Sequence, residues 1–187
     1  MFKKLLVIPA VLLGLSLSGC GLVSVTDANH TDHGMMGEES GFSSSDIMFA
    51  QMMIPHHQQA VDMGTLAETR AQDPRVKAIA AQIKAEQAPE ILQMKAWLKA
   101  SGSQMDMGHD MGMNGMLSDS ELATLNNSTG SIFDHLYLTG MIAHHEGAIE
   151  MAQMVLGSNN AEAKALGQSI VKSQTEQISY LKELLKP

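Results

Sequence analysis

One pattern containing paired histidines occurs twice in the sequence. Residues 49–63 read FAQMMIPHHQQAVDM and residues 137–151 read YLTGMIAHHEGAIEM, and the two segments align without gaps. The matched positions, each pair 88 residues apart, include Met53, His56, His57 and Met63 in the first copy and Met141, His144, His145 and Met151 in the second. Imidazole nitrogen combined with thioether sulfur suits Cu(I), Ag(I) and, less well, Cu(II). The pattern therefore indicates a soft-metal site.

Helical geometry divides the residues of each copy. At about 100° per residue, Met63 lies about 20° from His56 around the helix, and Met53 lies about 60° from it. Met53, His56 and Met63 should thus form an inward stripe, as should Met141, His144 and Met151. The second histidines, His57 and His145, are predicted to point about 100° away, toward the edge of the bundle or solvent.

A structural interpretation of the same residues is that the methionines fill a core and the histidines are hydrogen-bonded core or surface groups. The duplication favours metal binding, because Leu or Ile would fill a core equally well. Whether His56 and His144 share one ion or belong to two sites stays open. Since imidazole must be neutral to bind a metal, we expect affinity at these sites to fall below about pH 6.

The segment between the two copies, residues 101–117, is rich in methionine and glycine. It carries six soft or imidazole ligands: Met105, Met107, His109, Met111, Met113 and Met116. Exposed methionine is a poor choice for a plain linker, because it is apolar and oxidisable. The segment predicts additional metal ligands in a Met-rich loop, and a linker with chance methionines is the alternative.

The elements that would position these residues are helices. Apolar residues recur at helical spacing from Ser45, and Asp73-Pro74, Ser118 and Asn159 or Asn160 provide further helix starts. The helices that follow the two histidine segments also match weakly at an offset of 87, pairing Gln87 with Gln174 and Ile91 with Ile178. The sequence therefore predicts an all-α four-helix bundle built from two duplicated helical hairpins.

The N-terminus indicates export. Lys3 and Lys4 precede an apolar stretch too short to span a bilayer, which is typical of a signal peptide. Residues 17–20 read LSGC and resemble the lipobox of bacterial lipoproteins; an ordinary cleaved signal is the alternative. We expect a signal peptide at 1–19, a lipid anchor to the membrane at Cys20, a flexible tether over 20–44 and the helical domain at 45–187.

Composition excludes several classes of function. Removing residues 1–19 leaves 10 basic and 20 acidic residues, and an acidic chain without a Lys/Arg cluster argues against nucleic acid as a partner. The sequence lacks the Glu-x-x-His pairs of di-iron bundles and the His-Glu-x-x-His motif of zinc hydrolases. Asp62 and Glu150 are the matched carboxylates near the motif, and their angular positions disfavour direct ligation. We expect a binding protein rather than an enzyme.

The two histidine segments and the Gln87–Leu98 pattern resemble the domain-of-unknown-function 305 family, over Asp46 to about Leu185. The resemblance implies a ferritin-like four-helix fold, and some members are implicated in periplasmic copper binding and resistance. The resulting hypothesis is an exported, lipid-anchored, periplasm-facing protein that binds copper, as Cu(I) foremost, or silver for buffering, resistance or trafficking to a metal-accepting protein partner. The alternatives are a metal-dependent redox enzyme on a ferritin-like bundle and a structural or partner-binding lipoprotein without metal.

Overall fold

A computed structural model of the chain describes residues 41–105 and 113–186. Within these ranges it contains five α-helices and no β-strand, which confirms the all-α prediction. The helices are α1 (Ser44–Arg70), α2 (Pro74–Ala100), α3 (Asp119–Asn127), α4 (Gly130–Ala152) and α5 (Ala161–Leu184), and a 3-10 turn at Gln153–Val155 follows α4. The predicted signal peptide, Cys20 and the tether as far as residue 40 lie outside the described residues, as do Met107, His109 and Met111.

Short polar side chains begin the helices at nearly the predicted positions. Asp73 and Asn160 accept hydrogen bonds from the first main-chain amides of α2 and α5, and Ser118 forms the predicted capping box with Glu121 at α3. The exception is α1, where Ser43 rather than Ser45 is the N-cap, because Asp46 completes a capping box with it. This cap starts the first helix two residues earlier than the sequence pattern suggested.

The four long helices form two hairpins that pack against each other. Helix α1 lies along α2, α4 lies along α5, and α1 and α4 make the main contact between the hairpins. Two clusters of buried hydrophobic residues fill the bundle. The first contains Met53 of α1 and Met151 of α4, whereas the second contains Met63 and Met141. The two histidine segments therefore run in opposite directions, so that the start of each lies beside the end of the other.

None of the helices within the described ranges combines the length and apolarity needed to cross a membrane. The duplicated hairpins confirm the four-helix bundle predicted from the repeat.

Candidate metal centre

A layer of buried polar side chains separates the two hydrophobic clusters. On α1 the first cluster ends at Ile54 and the second begins at Ala60, and on α4 the boundary falls between Ile142 and Ala148. The histidine pairs lie at these boundaries. Buried glutamines occupy the corresponding positions of α2 and α5. We call the polar layer the set His56, His57, Gln87, His144, His145, Gln174 and Gln177.

The predicted outward direction of His57 and His145 is wrong. All four histidines have no exposed surface. His57 Nε2 lies 2.8 Å from Glu90 Oε2 of α2, and His145 Nε2 lies 2.7 Å from Gln177 Oε1 of α5. Helix α1 packs against both α4 and α2, so two positions about 100° apart each face a neighbouring helix, and α4 does the same between α1 and α5.

The first histidines of the two copies meet at the centre of the bundle. The ring centroids of His56 and His144 are 3.7 Å apart, with the ring planes inclined by 38°. The two copies therefore contribute to a common place in the fold. Lone pairs of imidazole nitrogens lie in the ring plane, and metal–nitrogen distances are about 2 Å. An ion therefore does not fit between the two tilted ring faces. In this arrangement each ring offers its edge, not its face, to a ligand.

Several nitrogens of the layer lack hydrogen-bond partners among the described residues. These atoms are Nδ1 and Nε2 of both His56 and His144, together with Nδ1 of His57 and of His145. Both side-chain polar atoms of Gln87 and Oε1 of Gln174 also lack hydrogen-bond partners among these residues. A buried polar group left unsatisfied costs roughly 1–3 kcal/mol. So many in one layer call for a functional explanation, and unpaired imidazole lone pairs are what a soft cation binds.

The electrostatics of the layer keep His56, His144 and His145 neutral. Burial, reinforced by the neighbouring His57, lowers the pKa of His56 to about 3; the main chain of Asn114, lying outside hydrogen-bonding geometry, acts in the opposite direction. Burial also lowers the pKa of His145 to about 4 and the pKa of His144 well below its ordinary value. Neutral rings bind metal without first losing a proton. The expected loss of affinity below about pH 6 should therefore begin at a more acidic pH.

Four buried thioethers flank the polar layer. Met53 and Met151 belong to the cluster on one side, and Met63 and Met141 belong to the cluster on the other. Met53, Met63 and Met141 have no exposed surface, and Met151 is also buried. The predicted inward stripes are thus inside the bundle. Each side of the layer carries one methionine from each copy of the repeat.

The His, Cys, Asp and Glu side chains do not form a metal site by themselves. In the part of the chain that the structure describes, no group of three or more His, Cys, Asp or Glu side chains is arranged to hold a metal ion. Asp62 and Glu150 are both exposed. An ion in the layer would therefore need the methionines as additional ligands, which favours a soft cation over iron or zinc.

The Met-rich loop is described only at its two ends. Met105 is exposed, Met113 packs against the first hydrophobic cluster, and Met116 lines a surface pocket with Leu125 and Leu136. These three methionines face different surroundings, so they do not form one site in this arrangement. Met113 lies against the cluster that holds Met53 and Met151.

Residues 113–117, which we call the strap, cross the face formed by α1 and α4. The Gln59 side chain brackets Leu117, donating to its carbonyl over 3.0 Å and accepting from its amide over 2.8 Å. Asn114 Nδ2 donates to Glu150 Oε2 over 2.6 Å. Two glycines permit the contact: a Cβ on Gly147 would lie 1.9 Å from the Asn114 carbonyl oxygen, and one on Gly115 would lie 2.4 Å from a main-chain oxygen of α4.

Sequence reasoning missed the residues that hold His57 and His145. Glu90 and Gln177 occupy equivalent positions of the two repeats, because they are 87 residues apart, like Gln87 and Gln174. This offset was the available signal. The different residue types, a carboxylate in one copy and an amide in the other, concealed it.

Comparison with known proteins agrees with the fold. The structure resembles a secreted DUF305 protein of Streptomyces coelicolor described as putative (32% identity, TM-score 0.72), covering 76% of this chain and 92% of that one. It also resembles a DUF305 fragment of Deinococcus radiodurans (29% identity, TM-score 0.71; 76% and 96% covered). A further match is CopM in its Cu(I)-bound form (30% identity, TM-score 0.64; 74% and 94% covered). No protein of curated function matches the chain.

The model of the domain of unknown function DUF305 matches residues 46–185, which include α1 to α5 except the first two residues of α1. The match includes both histidine segments and the helices that hold them. The chain therefore belongs to the DUF305 family.

Proposed function

We propose that this protein binds copper or silver ions through the polar layer and its flanking methionines, and that it acts as a carrier or buffer of the cell envelope. One observation carries the proposal: four buried histidines, contributed equally by two repeats, have six ring nitrogens without partners and lie between two pairs of thioethers. Neutral imidazole and thioether are the donors that soft, low-coordinate ions prefer.

The similarity to CopM supports the proposal. That protein has been crystallised in Cu(I)-bound, Cu(II)-bound and silver-bound forms. Its identity to this chain is about 30%, and the likeness covers 94% of its Cu(I)-bound form. We infer Cu(I) as the main cargo, because methionine sulfur binds Cu(I) better than Cu(II).

Export and lipid anchoring form part of the same proposal. One structural relative is described as a secreted protein, and the N-terminal residues 1–20 carry the signal-peptide and lipobox pattern. An anchored carrier facing the periplasm would meet copper before it reaches the cytoplasm and would pass it to a metal-accepting partner. We infer binding rather than catalysis as part of this proposal, because Asp62 and Glu150, the matched carboxylates of the motif, are exposed and Glu90 meets the layer only through His57.

The arrangement favours two half-sites over one shared ion. The ring faces of His56 and His144 are too close together for an ion between them. The methionine pairs Met53–Met151 and Met63–Met141 lie on opposite sides of the layer. Each half-site would combine imidazole with two thioethers, one from each repeat.

Two methionines in similar surroundings, one inside the motif and one outside it, test the proposal. Met53 and Met94 are both fully buried in the same hydrophobic cluster, but only Met53 belongs to the repeated motif. Met→Leu is nearly volume-conserving and should cost less than about 1.5 kcal/mol of stability at either position. We expect Met53→Leu to weaken Cu(I) binding at least tenfold in competition with a chromophoric chelator, using the chain from residue 21 onward.

The control variant, Met94→Leu, should bind Cu(I) as the unmodified chain does. Equal affinity of the Met53→Leu and Met94→Leu variants would mean that the methionines of the motif only fill the core, and the proposed site would be wrong.

A further inference from the structure

The second histidine of each pair contacts, through its Nε2 atom, a polar side chain of the neighbouring helix. His57 Nε2 lies 2.8 Å from Glu90 Oε2, and His145 Nε2 lies 2.7 Å from Gln177 Oε1. The two contacts are equivalent in the repeats, since the histidines are 88 residues apart and their partners are 87 residues apart. A contact that recurs in both copies of a duplication needs a common explanation.

Donor and acceptor roles fix the direction of the hydrogen bond at His57. An ionised carboxylate only accepts hydrogen bonds, so Nε2 of His57 must carry the proton that it donates to Glu90. In a neutral imidazole the other nitrogen then bears the lone pair. Nδ1 of His57 is buried and has no hydrogen-bond partner in the described ranges.

A relay of two hydrogen bonds fixes the same direction at His145. Gln177 Nε2 donates to Glu86 Oε2 over 2.7 Å, and this bond orients the amide so that its oxygen faces His145. That oxygen can only accept, so His145 Nε2 must donate. Its Nδ1 also bears a lone pair that is buried without a partner among the described residues.

We propose that Glu90 and Gln177 are positioning residues that fix His57 and His145 as Nε2–H tautomers, so that each ring presents its Nδ1 lone pair to a cargo ion. Histidine ligands of metals usually donate their other ring N–H to a carboxylate, a carbonyl or water, which sets the tautomer and the ring orientation. This inference rests on the proposed function for the identity of the ion, but not for the tautomers. It makes His57 and His145 ligands through Nδ1, which the sequence pattern alone does not specify.

The two copies should differ in one respect. A carboxylate accepts the hydrogen bond of His57 directly, whereas the Gln177 amide lies between His145 and the carboxylate of Glu86. A carboxylate partner raises the basicity of the ligating ring more than an amide does. His57 should therefore be the stronger ligand of the two.

The tautomers are measured without metal, by long-range proton–nitrogen correlation spectra of the histidine-labelled chain from residue 21 onward at pH 7. We expect the Nε2–H pattern for His57 and His145. Glu90→Met removes the acceptor at similar volume and should lose this pattern at His57 while leaving it at His145. Glu90→Gln retains an oxygen acceptor and should keep the pattern at least in part. Gln93→Met, an exposed change on the same helix, is the control and should alter neither ring.

Cu(I) competition on the same variants tests the consequence for binding. Partners behind a metal ligand typically contribute 10–100-fold in affinity, so Glu90→Met should weaken binding by that factor and Glu90→Gln by clearly less. An Nδ1–H tautomer at either ring of the unmodified chain would overturn the inference, even if Glu90→Met fails to fold. If the unmodified chain has the Nε2–H tautomers but Glu90→Met binds Cu(I) with unchanged affinity, the positioning role would be wrong. Correct tautomers in a chain that binds no Cu(I) would refute the proposed function and leave the tautomer assignment standing.

Discussion

The four buried histidines destabilise the middle of a hydrophobic bundle. Six of their ring nitrogens have no hydrogen-bond partner among the described residues, and each such group costs roughly 1–3 kcal/mol when buried. Apolar side chains of similar size would avoid this loss. The presence of the same two buried histidines in each repeat is therefore better explained by a ligand than by packing.

Lowered histidine pKa values predict how stability depends on pH. The unfolded chain protonates histidine near pH 6.5, whereas the folded pKa values are about 3 for His56 and about 4 for His145, and that of His144 is also lowered. The unfolded state thus binds more protons as the pH falls below about 6.5. Stability is fully present above that pH and is lost on acidification toward the folded pKa values.

We expect the free energy of unfolding of the metal-free protein to fall between pH 6.5 and pH 5, by on the order of 1 kcal/mol per pH unit for each of these rings. Urea titrations across this range measure the slope. His145→Gln should make the slope shallower than that of the unmodified chain. A free energy of unfolding that is constant across this range would contradict the burial of neutral rings.

At the scale of elements, the strap is the end of the Met-rich loop that contacts α1 and α4. It is held to α1 by Gln59 and to α4 by the contact at Gly147 and the Asn114–Glu150 hydrogen bond. The main chain of Asn114 also lies beside His56. We therefore expect the strap to hinder the release of an ion from the layer on this side.

Gly147→Ala should release the strap, because the added Cβ would lie 1.9 Å from the Asn114 carbonyl oxygen. Overpacking of this kind costs about 1–3 kcal/mol unless the strap moves away. We expect faster hydrogen exchange at the Leu117 amide and faster release of Cu(I) to a chelator. Gly157→Ala is the matched control, since a Cβ there meets no atom within 4 Å. Equal exchange and release rates in the two variants would mean that the strap does not cover the layer.

The sequence predicted the elements well because their signals are local. Ser118 with Glu121, Asp73 with Pro74, and Asn160 begin helices as expected, since capping depends on neighbours within one turn. The strap could not be predicted, because the contact of Asn114 with Gly147 and of Leu117 with Gln59 joins residues distant in sequence. Gly115 and Gly147 permit the close packing of the strap on α4, a role that depends on this distant contact.

At the scale of the whole molecule, the duplication explains the site. Reversal of the second hairpin against the first brings Met53 into one cluster with Met151 and Met63 into one cluster with Met141. The sequence left open whether His56 and His144 come together, and the packing of the hairpins places their ring centroids 3.7 Å apart. The direction of His57 was mispredicted because one helix viewed alone has a single inward face, while α1 has neighbours on two sides.

We infer that both imidazole and thioether bind the cargo ion inside the bundle. The Met-rich loop is a competing location, so its ligands outside the strap are first replaced (Met105, Met107 and Met111 by Leu, and His109 by Asn). X-ray absorption of this variant, loaded with one equivalent of Cu(I), then reports the donor atoms directly. We predict a mixed shell of nitrogen and sulfur around copper. Failure of this variant to retain Cu(I), or a shell without both donor types, would contradict the account.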